Sequence, residues 1–408
     1  MPLLSNLPFR NRDLHPLNRA TVLQVVAGDT LTPAVREALG VVSALYTVGA
    51  RALVACEDRL KAELQASGGI HLPLPWSSKN PLSMALSARH LGRLIETERA
   101  NIIHVRSRAL AWATYGAARV TKTPLVTNYG AGHDGFNPVL ARYNSVLARG
   151  DAVLAASNFA AGLAAKQFPS AADKIRVIRR GIDHQVFAPG AVMPARVEAV
   201  RRQWKAAPHE QLVLLFDPSF GIADGVLIEA VRLLSRRGTS GVRFIFFCGE
   251  NGTADCIRGA GRAIARGGLE GITHPAACCD LPAALLAASV VAVVPAAGAR
   301  DTGETAIQAQ AMGTPVIAAN TGAAQEIILA PPAVAESERT GFLTAPGDVP
   351  ALATAIATAV CLGASARSQL SARAIAHVEK HYLAERSYAE ILDVYALLRL
   401  AGRPDPRR

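Results

Sequence analysis

The sequence predicts an α/β chain made of two doubly wound, Rossmann-like parallel sheets. Short apolar runs rich in β-branched residues alternate with amphipathic helical stretches from end to end, the pattern of parallel strands joined by crossover helices. The 408 residues, 50% apolar and only 18% charged, suffice for two domains of ordinary size that each bury a core.

The first sheet is expected from seven runs: Thr21 to Ala27, Arg51 to Ala55, Gly69 to Leu74, Asn101 to Val105, Pro124 to Asn128, Asp151 to Ala156 and Lys174 to Ile178. Between the first two, Val35, Ala38, Leu39, Val42, Leu45 and Tyr46 recur at i, i+3, i+4, i+7 spacing, which predicts a helix with one buried face. Phe187 to Pro194 concentrates Pro and Gly and interrupts the periodicity, which marks it as the interdomain linker. The second sheet is expected from Gln211 to Phe216, Val242 to Cys248, Val290 to Val294 and Thr314 to Ala319. Leu227, Ala230, Val231 and Leu234 share a face of its first helix. Asp348 and Pro350 start an alanine-rich helix, and the helical pattern from Ser371 through Leu400 has no strand after it. The expected division is an N-terminal extension over 1–19, a first domain over 20–190, a second over 191–372, a C-terminal helix over 373–401 and a frayed tail over 402–408. Two such lobes are expected to face each other across a cleft, with ligands outside the carboxyl ends of the strands.

Composition excludes several classes. The six cysteines show no C-x-x-C spacing, and a chain of this size needs no staples, so they read as reduced thiols and no metal site is expected. The first nineteen residues lack the apolar run of a secretory signal. The most apolar stretch, Ala283 to Ala299, is cut by Pro295 and is too alanine-rich to hold a bilayer span. The net charge of +11 comes without a Lys/Arg block interleaved with aromatics, so no nucleic-acid partner is expected. Residence beside an anionic leaflet is an alternative use for it, at about 1 kcal/mol per nearby basic residue. Gly130 to Gly135 matches G-x-G-x-x-G after a strand. A dinucleotide site would need a carboxylate about 20 residues on, at the end of the next strand. Asp151 begins its strand instead, so NAD is set aside.

The most informative segment is 290 to 326: a buried strand, a Gly-containing loop, a helix ending near Gly313, a second strand, then Gly322-Ala323-Ala324-Gln325-Glu326. Around it, in order, stand Ser78 to Pro81, His104-Val105-Arg106-Ser107-Arg108, Arg142 to Ser145, Asp151 to Ser157, Val177 to Asp183 with Phe187, and Gly341-Phe342-Leu343 with Pro346-Gly347-Asp348. On these residues the chain, from Val22 to Tyr395, resembles the family-4 retaining glycosyltransferases of the GT-B fold. The resemblance is to a bacterial subgroup that includes enzymes of lipopolysaccharide and related envelope glycans. It implies a C-terminal helix returning to the first lobe and transfer of a sugar from a nucleotide-sugar donor to an envelope-glycan or lipid-linked acceptor. It further implies a cytoplasmic location, peripheral on the membrane beside a partner glycosyltransferase, and no cofactor or metal.

The family's charges have gone from this frame. Arg300 and Gln308 stand where the resemblance places the two glutamates of Glu-x7-Glu, and Asp217 and Ile222 where it places an Arg and a Lys. Those cations matter because breaking the bond to a diphosphate leaves extra negative charge on it, and preorganised cations contribute several kcal/mol to that transition state. Gly130 replaces the family's acceptor-side His, with His133 the weak substitute, and Gly28 alone remains of a Gly-Gly loop. The donor candidates are Arg180 and Arg300 for phosphate charge, Thr302 and Gly303 at the helix start, Gln308 in nucleotide contact and Glu326 for the sugar or ribose. Arg106 and Arg108 present planar forks suited to an anionic acceptor. Lys79, Asn80, Tyr129, Gly130 and Gly28 complete the acceptor side. The expected activity is sugar transfer, impaired by these losses. The alternative is a catalytically inactive scaffold or regulatory partner.

Overall fold

The computed structural model describes residues 14–27, 32–74, 81–130, 138–216, 224–248, 254–277, 280–293 and 303–401. The chain divides into two compact units, residues 1–181 with 384–408, and residues 182–383. Among the described residues no single helix is long and apolar enough to cross a membrane.

The first unit holds a seven-stranded parallel sheet in the order β3-β2-β1-β4-β5-β6-β7. Its strands are β1 (Thr21–Val25), β2 (Arg51–Cys56), β3 (Ile70–Pro73), β4 (Ile102–Val105), β5 (Leu125–Tyr129), β6 (Ala152–Ala155) and β7 (Ile175–Val177). Every expected run forms a strand, and the central ones, covered on both faces, read as continuous apolar runs. Val22, Ala52, Val54 and Ile102 pack towards the Pro33–Thr47 and Ala384–Ala401 helices. Leu23, Leu53, Ile103 and Val105 pack towards Pro81–Thr97 and Arg108–Thr121. Thr32 caps the first helix, its hydroxyl accepting from the Val35 N–H, with Pro33 at the first position. Tyr46 differs from expectation. Leu45 takes the core position and Tyr46 stays half exposed, its ring beside Gly68.

The second unit holds a six-stranded parallel sheet in the order β10-β9-β8-β11-β12-β13. The four expected runs form β8 (Gln211–Phe216), β9 (Val242–Phe247), β11 (Val290–Val293) and β12 (Val316–Ala319). Two strands were not expected, β10 (Thr273–Ala276) and β13 (Phe342–Thr344), and both are edges. Strand β10 contains Pro275, which an edge tolerates because one side of the ladder needs no donor.

The units change at Gly181/Ile182, not in the Pro/Gly segment Phe187 to Pro194. Val192, Val200 and Trp204 belong to the second unit's core together with Ile182. Arg196 clamps Asp280 through two hydrogen bonds of 2.8 Å, fixing the Pro194–Gln203 helix to that unit. The Pro/Gly cluster is therefore a turn inside the second unit. The C-terminal helical stretch is also two helices, Ala364–His381 and Ala384–Ala401. The first buries Leu370, Ala374 and Val378 in the second unit, and only the second belongs to the first unit, so the return begins at Ala384 rather than 373. Ile182 bridges to Leu383, so the second unit begins and ends at one place.

Candidate functional site

In the second unit the site is built where β11 and β12 end. Gly303 caps the Glu304–Ala311 helix with φ +74°, a left-handed conformation. A Cβ on Gly303 would lie 1.9 Å from Ile327 Cδ1, so only glycine fits both the turn and the space. A second lock holds the same neighbour: the buried Gln310 amide donates to the Ile327 carbonyl at 3.1 Å. The helix therefore closes with Gly313 at φ +67° and begins against the short helix Ala324–Ile327, which carries Glu326. Tyr382 in turn donates its hydroxyl to the Glu326 carbonyl at 2.9 Å.

Gln308 is only 5% exposed, and its Nε2 donates to Glu304 Oε1 at 3.3 Å, one turn earlier. This differs from the expected nucleotide contact. The amide is engaged inside the helix, and the group it presents at the helix start is the Glu304 carboxylate. Gly303, Glu304 and Glu326 are thus brought together at the carboxyl ends of two adjacent strands. The first amides of an eight-residue helix point the same way, an arrangement suited to a phosphate. Arg300 and Thr302, and likewise Asp217 and Ile222 after β8, lie outside the described residues.

In the first unit the motif His104-Val105-Arg106 has a structural use. Strand alternation puts His104 and Arg106 on one face. There Arg106 Nε donates to Gln24 Oε1 at 2.7 Å and its Nη1 to Glu37 Oε2 at 2.7 Å. The Arg106 side chain has no accessible surface. It is a buried structural cation, and the expected role as an acceptor ligand is corrected on that ground: a fully enclosed guanidinium cannot reach an acceptor without breaking this pair. His104, also fully buried, sits between Tyr395 Oη at Nδ1 and Asn128 Oδ1 at Nε2, both at 2.6 Å. Burial, and then the neighbouring Arg106 charge, hold the imidazole well below its ordinary pKa despite the Asn128 hydrogen bond. The ring is neutral, with the proton on Nε2 and Nδ1 accepting from the tyrosine. Burial likewise raises the Tyr395 phenol. Sequence reasoning missed Gln24, Glu37 and Tyr395 as partners. The available signal was Gln24 standing alone in the apolar strand TVLQV.

The remaining expected residues are scattered. Tyr129 is buried, its hydroxyl donating to Gln167 Oε1 at 2.7 Å, so its side chain belongs to the core while Gly130 follows it at the end of β5. Arg108 is exposed at the start of its helix, and Arg180 is partly buried just before the boundary of the first unit. Gly28, Lys79, Asn80 and His133 lie outside the described residues. Among the described residues no group of three or more His, Cys, Asp or Glu side chains is placed to hold a metal ion.

Residues 39–186 match the family described as Glycosyltransferase Family 4, and residues 223–361 match Glycosyl transferases group 1, so each unit carries a glycosyltransferase match. No curated protein sequence matches this chain. A solved glycosyltransferase from Rickettsia africae is 24% identical over 95% of this chain and 100% of its own, with a TM-score of 0.79. Anabaena Alr3699/HepE, in complex with UDP and glucose, is 20% identical over 93% of this chain and 100% of its own, with a TM-score of 0.75. WaaG, a glycosyltransferase involved in lipopolysaccharide biosynthesis, is 13% identical over 92% of this chain and 99% of its own, with a TM-score of 0.67. At these identities the likeness establishes the fold: two parallel-sheet α/β units of the GT-B type, as the sequence predicts.

Proposed function

We propose that the chain is a retaining glycosyltransferase that binds a nucleotide-sugar donor in its second unit and passes the sugar to an envelope-glycan or lipid-linked acceptor. The observation that carries this is the Gly303 turn locked against Ile327, which sets the helix start, Glu304 and Glu326 at one place. The helix amides and the Arg300 guanidinium meet the diphosphate, whose charge grows as the anomeric bond breaks. Glu326 accepts from hydroxyls of the sugar or ribose. Arg108, Lys79, Asn80 and Gly130 serve the acceptor, and His133 is the candidate near the reacting carbon. The two glycosyltransferase family matches, the UDP and glucose named with HepE, and the lipopolysaccharide role named with WaaG support this reading. We place the protein in the cytoplasm, peripheral on the membrane beside a partner glycosyltransferase.

A second reading, a non-catalytic scaffold or regulatory partner, is favoured by Asp217 and Ile222 standing where the family carries its cations. Calorimetric titration with UDP, GDP and ADP separates the two. Micromolar binding of one of them is expected for the enzyme, and silence from all three leaves the scaffold.

A further inference from the structure

A pocket of about 330 Å³ opens in the first unit at the amino ends of β5 and β6, the opposite strand ends from Tyr129 and Gly130. Its walls include Arg119 and Lys122 from the end of the Arg108–Thr121 helix, Arg149, Tyr115 and Asp151. Among the described residues none of the three cations makes an ion pair. Two of them are held in place by aromatic faces instead. The Arg119 guanidinium lies 5.4 Å over the Tyr115 ring, and that of Arg149 lies 5.2 Å over Trp112 and 5.6 Å over Tyr115. Trp112 is itself anchored, its indole N–H donating to the Tyr143 carbonyl at 2.8 Å. The acid in the pocket, Asp151, has Oδ2 occupied by the Leu125 N–H at 2.8 Å.

A helix C-terminus favours cations, which accounts for Arg119 and Lys122. It does not account for Arg149, which comes from another element and converges on the same ring. Both arginines meet at Tyr115: Arg119 Nε donates to its hydroxyl at 3.3 Å, and that hydrogen bond first, then the one from Arg149, holds the phenol below its usual pKa against burial. The surroundings carry exposed apolar side chains, Val120 at 80%, Leu397 at 62% and Leu400 at 52% exposure, while Leu398 and Ala401 of the C-terminal helix line the pocket.

We propose that this pocket binds the phosphate group of a phosphate ester, through Arg119, Lys122 and Arg149. Two oriented guanidiniums and an ammonium match the acceptor oxygens of such a group. The site is independent of the donor chemistry and stands whether or not the protein transfers sugars.

The test uses the full-length protein and two probes: glycerol 1-phosphate by calorimetry, and co-sedimentation with phosphatidylglycerol vesicles against phosphatidylcholine vesicles. Wild type is expected to bind at least one probe, and Arg119→Gln/Arg149→Gln to bind it at least ~10-fold more weakly, since each lost charge-assisted hydrogen bond is worth that order. Binding of vesicles that Val120→Ser/Leu397→Ser also weakens assigns the ester to a lipid, and binding of glycerol 1-phosphate alone assigns it to a soluble ligand. Single Arg149→Gln, measured with its melting temperature, covers the case in which the double variant misfolds. Failure of wild type to bind either probe, or equal binding by a folded variant, overturns the proposal.

Discussion

Gly303→Ala perturbs the proposed donor site where conformation and space are both constrained. An alanine at φ +74° pays about 1–2 kcal/mol for its left-handed backbone. Its Cβ would lie 1.9 Å from Ile327 Cδ1, whereas carbon atoms rest at about 3.5–4.0 Å. The clashing atom is a side-chain tip, so Ile327 can turn away, but it is 2% exposed in a packed core. Overpacking of this kind costs about 1–3 kcal/mol. The expected loss is therefore about 2–5 kcal/mol, read from urea unfolding followed by circular dichroism. Ile327→Val removes Cδ1 and alone should cost about 0.5–1.5 kcal/mol. In the Gly303→Ala background it should be neutral or stabilising, a coupling of about 1–2 kcal/mol. A Gly303→Ala protein within about 0.5 kcal/mol of wild type, or two substitutions that simply add, would refute the described lock.

The other expectations concern charge. Arg106→Ala should destabilise by about 3–5 kcal/mol, as expected when one partner of a buried pair is removed; an effect on acceptor KM with unchanged stability would restore it as a ligand. His104 is neutral in the folded protein, while the unfolded chain takes up its proton near pH 6.5. Below that pH the unfolded state binds more protons, so stability should fall as pH drops from 6.5 towards 5, by up to about 1.4 kcal/mol per unit. His104→Gln should flatten that slope, leaving the smaller share of His15 and His274, whose pKa values burial also lowers; an unchanged slope counts against the neutral ring. Arg300→Ala should weaken UDP binding measured by calorimetry, and unchanged affinity would remove Arg300 from the site. Glu304→Gln should strengthen it by roughly fivefold, about 1 kcal/mol, because a carboxylate at the helix start repels the diphosphate; weaker binding would make Glu304 a ligand.

The central strands were legible in the sequence because they are covered on both faces. Strand β8, QLVLLF, announces itself because every neighbour demands an apolar side chain, and its expected bounds match the structure. Edges were read unevenly: β3 and β7 lie in runs with enough apolar residues to signal a strand, whereas β10, THPA, and the three-residue β13 are too short or too polar to do so. Pro/Gly punctuation found a real turn at 187–194 but could not tell a turn within a unit from one between units. That distinction depends on long-range contacts such as Arg196 with Asp280. The same limit applies to the site. Gly303 was legible from the family frame, whereas the Glu304 partner of Gln308 was not read, and the fate of Arg106 turned on Glu37, 69 residues away. A pair of arginines two apart after a strand looks alike whether one is buried or both are exposed.

The central claim is that the nucleotide frame at the ends of β11 and β12 persists although the family's cations do not. A crystal structure of the full chain with UDP tests it most directly. The account predicts the diphosphate at the Gly303 turn, within hydrogen-bonding distance of the first amides of the Glu304–Ala311 helix, with the ribose towards Glu326. UDP bound elsewhere, or a Gly303 turn left empty at saturating UDP, would contradict it.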